Sequence, residues 1–183
     1  FPNYYYPYIH KKEISQNLRE EFYECWRNSY DSINFDFSNF VHKDFNINNL
    51  LYLPLKKDQL KCGVIDFQNA FWGESSWDLF SLLEDSRVYF DDQYNDFFIK
   101  YYFKNSNQKI TIEEFREKYY ILNCSRQTRL LGRWVKLSTE FNQNSYLKFI
   151  QITKKRLLSG IEKLHRKELK LLYKDLIPDF NDA

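Results

Sequence analysis

The chain has 183 residues, 43% hydrophobic and 20% aromatic, with only 4 glycines and 4 prolines; that is enough apolar content for one domain with a core, and it excludes a disordered chain. So few turn formers disfavour a many-stranded sandwich and favour long helices. With 27 basic and 25 acidic residues the net charge is +2, which gives no field for nucleic acid, and no apolar run reaches the roughly 20 residues of a membrane span.

Residues 10–33 place Ile14, Leu18, Phe22, Cys25, Trp26 and Ile33 on one apolar stripe, which predicts a helix. Residues 40–42 (FVH) suit a short strand. LLYL at 50–53 and CGVIDF at 62–67 predict a hairpin joined by the polar connector PLKKDQLK. QNAFWGESSW has the polarity of a loop. A helix is expected from SSWDLFSLLED, with Ser75 or Ser76 as N-cap and Asp78 in its first turn. Tyr94, Phe97, Phe98, Tyr101 and Tyr102 mark an aromatic helix over 91–103. Thr111 with Glu114 satisfies a capping box and opens a helix to about Leu137. NSYLKFIQITKKRLLSGIEKL predicts one last long helix. Its basic stretch at 153–170 reads as the solvated side of an amphipathic helix, since Leu157, Leu158, Ile161, Leu164 and Leu169 interrupt the charges. Cys25, Cys62 and Cys124 form no close cluster, as expected of reduced thiols in a cytoplasmic protein.

Chemistry concentrates in VHKDFNINNLLYLP at 41–54 and VIDF at 64–67. Asp44, Asn49 and Asp66 supply two carboxylates and an amide oxygen, hard donors of the kind that hold Mg²⁺ together with phosphate oxygens. Asn49 lies just before one predicted strand and Asp66 near the end of the next. A hairpin would bring both to the same end, with Asp44 five residues upstream on a loop leading to the same place. Such a set suits phosphoryl transfer, in which the protein positions groups and neutralises charge.

HKDFNINN resembles the H-x-D-x-x-x-x-N catalytic loop of the protein-kinase-like phosphotransferases, and VIDF resembles their metal-binding segment. VIDFQNAFWG followed by WDL is similar to the aminoglycoside phosphotransferase and choline kinase branch. VHKDF with NLL, IDFQ, WDLFSLLED, RQTRLLGRWVKL and SYL resemble the bacterial kinases that phosphorylate the anomeric hydroxyl of N-acetylmuramate and N-acetylglucosamine. The likeness covers roughly residues 40–150. Asn69 stands where those kinases usually carry Asp, and Asn46 where His is frequent.

The resemblance implies an α+β, mainly helical C-terminal lobe of a kinase-like fold over residues 1–183. It implies Mg²⁺ and ATP as cofactors and a small-molecule hydroxyl as acceptor. In this reading Asp44 receives or orients the acceptor proton, and Asn49 and Asp66 hold the metal and nucleotide phosphates. Gln68, Trp72, Arg126 and Arg129 are substrate candidates; His42 and Asp78 support the loop. Each also has a plain structural reading: a turn carboxylate, a strand-edge asparagine, a surface arginine, a helix cap. No glycine precedes Gly63, and the chain starts at Phe1 without any methionine. A Gly-rich nucleotide lobe is therefore expected outside this sequence, as a partner of the lobe, and the isolated chain is expected to have little activity. The other readings are a kinase for an aminoglycoside, choline or a homoserine-like metabolite, and a kinase-like binding module without catalysis.

Overall fold

The computed structural model describes residues 1–88, 91–178 and 180. In chain order these form α1 (Tyr5–His10), α2 (Gln16–Asp31), β1 (Asn39–Val41), β2 (Leu50–Tyr52), β3 (Cys62–Val64), β4 (Phe71–Gly73), α3 (Ser76–Leu83), α4 (Asp92–Asn105), α5 (Ile112–Phe141), α6 (Ile150–Lys163) and α7 (Lys167–Leu176). Mostly helix with small antiparallel ribbons, this agrees with the α+β expectation. No helix among the described residues is long and apolar enough to cross a membrane. The chain divides into two compact units, Phe1–Asn34 with Tyr120–Ala183, and Phe35–Tyr119.

The first unit is helical. Ser15 caps α2 by accepting from the Leu18 backbone N–H, and the helix buries Phe22 and Trp26 from the predicted stripe. Leu157, Ile161, Leu169, Leu172, Tyr173 and Leu176 are shut from water. Tyr173 carries a polar atom into this core and satisfies it: its hydroxyl accepts from Trp26 Nε1 at 3.2 Å and pairs with Thr128 Oγ1. Gly160 lets α6 lie close to α5, because a Cβ there would come within 2.6 Å of Cys124 Sγ. The last helix expected over 144–164 is α6, preceded by a 3-10 turn over Asn144–Phe149, and a further helix not expected from the sequence, α7, follows it. Leu164 turns to an extended conformation (φ −86°, ψ 131°) after α6 and stays buried, so the apolar pattern continues while the helix stops.

The second unit contains the ribbons. β2 pairs antiparallel with β3, Leu50 opposite Val64 and Tyr52 opposite Cys62, as the sequence predicts. β1 pairs antiparallel with β4, Asn39 opposite Gly73 and Val41 opposite Phe71. This second ribbon corrects the loop expected for 68–77: three strand residues between polar flanks are too short to show a period. The capping box forms as expected, with Thr111 N–H on Glu114 Oε2 at 2.8 Å and Glu114 N–H on Thr111 Oγ1 at 3.2 Å. Helix α4 forms where the aromatic helix over 91–103 is expected. It buries Asn95 and Ile99 and leaves Tyr94, Phe97, Phe98 and Tyr101 exposed. Asn95 is drawn inward because its amide donates to the buried Glu84 carboxylate at 3.0 Å.

Candidate functional site

Two loops are strung between the same two ribbons. Residues 42–49 leave β1 and enter β2; residues 65–70 leave β3 and enter β4. Since β1 pairs with β4 and β2 with β3, the loops must run side by side. Their first cross-link is backbone: Ile65 N–H donates to Asn49 O at 3.0 Å. The second is a side chain: His42 Nε2 meets Ile65 O at 2.8 Å. A carbonyl only accepts, so this nitrogen carries the hydrogen. His42 is 4% exposed, and its Nε2–H ties the loop of residues 42–49 to that of residues 65–70.

Asn49 is the junction. Its amide nitrogen donates to the Asp44 carbonyl at 2.9 Å and reaches the Asp66 carboxylate at 3.4 Å. Gln68 donates to the other Asp66 oxygen at 2.7 Å. Asn46 also donates to the Asp44 carbonyl at 2.9 Å, while its own side-chain oxygen accepts from Asn48 N–H. The asparagine-rich run therefore works as a set of short hydrogen-bonded braces, which no glycine could supply. Asp44 and Asp66 are exposed and Asn49 is half-buried.

The first turn of α3 grips the other side of the loop. Asp78 accepts from His42 N–H at 2.7 Å and from Lys43 N–H at 3.0 Å. Burial pushes its carboxyl above the ordinary aspartate range, even though both backbone donors favour the charged form. Trp77 Nε1 donates to Lys43 O at 3.2 Å. Lys43 and Asp66 adopt positive φ, 77° and 68°, a region that disfavours side chains bearing a Cβ by about 1–2 kcal/mol. One such residue lies in each loop, directly beside or at a chemically equipped carboxylate.

Behind the ribbons, Glu74 follows β4. Its carboxylate accepts from Asp36 N–H at 2.8 Å and pairs with Lys118 at 3.2 Å, with side chains 3% and 8% exposed. Trp77 and the Glu74–Lys118 pair carry weight that the sequence does not signal, because each acts on a partner more than 30 residues away. Trp72 lies on β4 opposite Phe40 and is 68% exposed. Arg126 and Arg129 lie on α5 in the helical unit, half-buried and exposed respectively; the contacts that join Asp44, Asn49, Asp66, Gln68, His42 and Asp78 do not include them.

Chemically, the junction holds one carboxylate, Asp66, beside one amide, Asn49, whose nitrogen is occupied by the Asp44 carbonyl and the Asp66 carboxylate. Among the described residues no group of three or more His, Cys, Asp or Glu side chains could hold a metal. A sparse oxygen set fits Mg²⁺, which keeps waters and takes substrate phosphates to complete its shell; it does not fit a tetrahedral site of nitrogen and sulfur.

The sequence pattern of the phosphotransferase enzyme family (APH) matches residues 12–117, a stretch that includes both loops. Two curated relatives are named N-acetylmuramate/N-acetylglucosamine kinase. The one from Caulobacter vibrioides is 28% identical over 111 residues, 61% of this chain and 30% of the relative. The one from Neisseria meningitidis serogroup B is 24% identical over 144 residues, 74% of this chain and 42% of the relative. The matches thus span less than half the length of these relatives.

Proposed function

The chain belongs to the phosphotransferase enzyme family, and on that premise we propose that it carries the catalytic and metal loops of an ATP-dependent kinase for a small-molecule hydroxyl. The observation that carries this reading is the Asn49 amide, which ties the Asp44 backbone to the Asp66 carboxylate. Asp44 accepts the proton of the acceptor hydroxyl, or orients that hydroxyl, as it attacks the terminal phosphate. Asn49 and Asp66 would hold Mg²⁺ together with the nucleotide phosphates, where it would supply neutralisation of the charge on the transferred group. Gln68 fixes the Asp66 carboxylate, and His42 and Asp78 keep the two loops in register. Residues 1–183 act as one kinase-like lobe in this proposal, and the family pattern supports it by running across the Asn34–Phe35 boundary between the units.

The acceptor we propose is an amino sugar, N-acetylmuramate or N-acetylglucosamine, at its anomeric hydroxyl. Both relatives' names support it. The fate of Glu74 argues against the cationic acceptors of the aminoglycoside or choline type. It is the one acid between Asp66 and Asp78, and it is buried against Lys118 rather than offered to a ligand. The intact Asp44, Asn49 and Asp66 set argues against a binding module without catalysis.

The test is ATP-coupled turnover by the protein that carries this chain, with both amino sugars and with choline as acceptors. Asp44→Asn is expected to lower turnover by about 10²–10⁴ while Mg²⁺-dependent nucleotide binding persists. Near-wild-type turnover of Asp44→Asn removes Asp44 from the chemistry, and a preference for choline overturns the acceptor.

A further inference from the structure

We propose that Trp77 is a positioning residue: its indole N–H holds the peptide between Lys43 and Asp44, and so sets the direction in which the Asp44 carboxylate leaves the loop. This rests on the phosphotransfer reading of Asp44. The Asp44 side chain is exposed, so no packing holds it and the direction of its Cα–Cβ bond is set by its backbone. That backbone has two flanking peptides. The one after Asp44 is held through its carbonyl by the Asn46 and Asn49 amides. The one before it is held through the Lys43 carbonyl by Trp77 Nε1 at 3.2 Å. Turning this second peptide changes φ at Asp44 and swings its Cα–Cβ bond.

Lys43 needs such a hold. At φ 77° it sits where a lysine relaxes readily to a commoner conformation unless its neighbours prevent it. Asp78 binds its N–H and Trp77 binds its C=O, so two consecutive residues of one helical turn grip Lys43 on both sides. Trp77 is itself anchored. Its ring meets Phe71 of β4 edge-on at 5.7 Å and Phe80 at 5.3 Å. Phe80 is fully buried, and β4 pairs with the strand that leads into His42. A ring that only filled space would not need its single donor aimed at a strained carbonyl.

The test separates the donor from the ring. Trp77→Phe keeps an aromatic ring and removes the N–H. Incorporation of 3-benzothienylalanine at position 77 keeps the bicyclic shape with sulfur in place of N–H, and serves if Trp77→Phe does not fold. Amide hydrogen exchange over residues 42–46 is expected to speed up about tenfold, the order of one lost hydrogen bond. Turnover number is expected to fall about 10- to 100-fold with acceptor KM within about twofold, the signature of a misplaced group rather than lost binding. Unchanged exchange over 42–46, or a raised KM at full turnover number, overturns the proposal. Asp44→Asn run in parallel distinguishes the two readings. If Asp44→Asn retains turnover, the chemical role of Asp44 fails, and the exchange rates still decide whether Trp77 holds the loop.

Discussion

In the unit of residues 1–34 and 120–183, Leu157, Ile161 and Tyr173 show no exposure; in the unit of residues 35–119, Leu51, Val64, Ile65 and Phe67 of the ribbon and its following loop are 45%, 41%, 44% and 63% exposed. The helical unit is held by burial, which is strong but has no direction. The loop region is held by hydrogen bonds from Asn46, Asn49, Trp77 and Asp78 to backbone atoms, and these fix the planes of single peptides. Burial suffices to decide where a helix lies. Fixing the single peptides on either side of Asp44 needs the directional kind of contact, and Asn46 and Asn49 supply part of it.

The contrast breaks most visibly at Lys118. Lys118→Met leaves the buried Glu74 carboxylate without its cation, and should cost about 3–5 kcal/mol in denaturant unfolding. A near-neutral result would mean that the Glu74–Lys118 pair contributes nothing to holding the ribbon-bearing unit. Leu157→Ala should cost about 2–5 kcal/mol by opening a cavity, whereas Leu51→Ala should stay within about 0.5 kcal/mol. Equal costs would erase the distinction between the two regions.

The smallest effect sharpens the comparison through pH. Burial raises the folded pKa of Asp78 above its ordinary value. The stability this contributes is full below the ordinary aspartate range and is lost as pH rises through the folded value. Asp78→Asn removes that titration. Urea unfolding at stepped pH should therefore show the variant gaining on the wild type as pH rises from about 3 to 7, a window that starts below the ordinary aspartate pKa near 3.9, even as exchange over 42–46 speeds up. A difference constant with pH would show that the Asp78 carboxyl is not held above its ordinary value.

Much of the site was legible in the residues. The spacing of Asn49 and Asp66 about a hairpin placed both at one end of β2 and β3, because a two-stranded ribbon has one register consistent with its turn. Thr111 and Glu114 announced α5, since both partners of that cap lie within one helical turn. Other features were hidden. The helix α4 was legible but its buried side was not: Asn95 turns inward to donate to Glu84, 11 residues upstream. The strand at Phe71–Gly73 was invisible because its partner lies 32 residues upstream, at Asn39–Val41.

By itself the sequence determined the helices with local caps, the hairpin and the identity of the oxygen donors, since these depend on residues a few positions apart. The tertiary structure alone decided which peptides those donors brace, how Trp77 and Asp78 close on Lys43, and that Glu74 turns inward to Lys118. The contacts of Trp77, Asp78 and Glu74 join residues more than 30 positions apart, and no local pattern records which distant group will satisfy a buried or strained one.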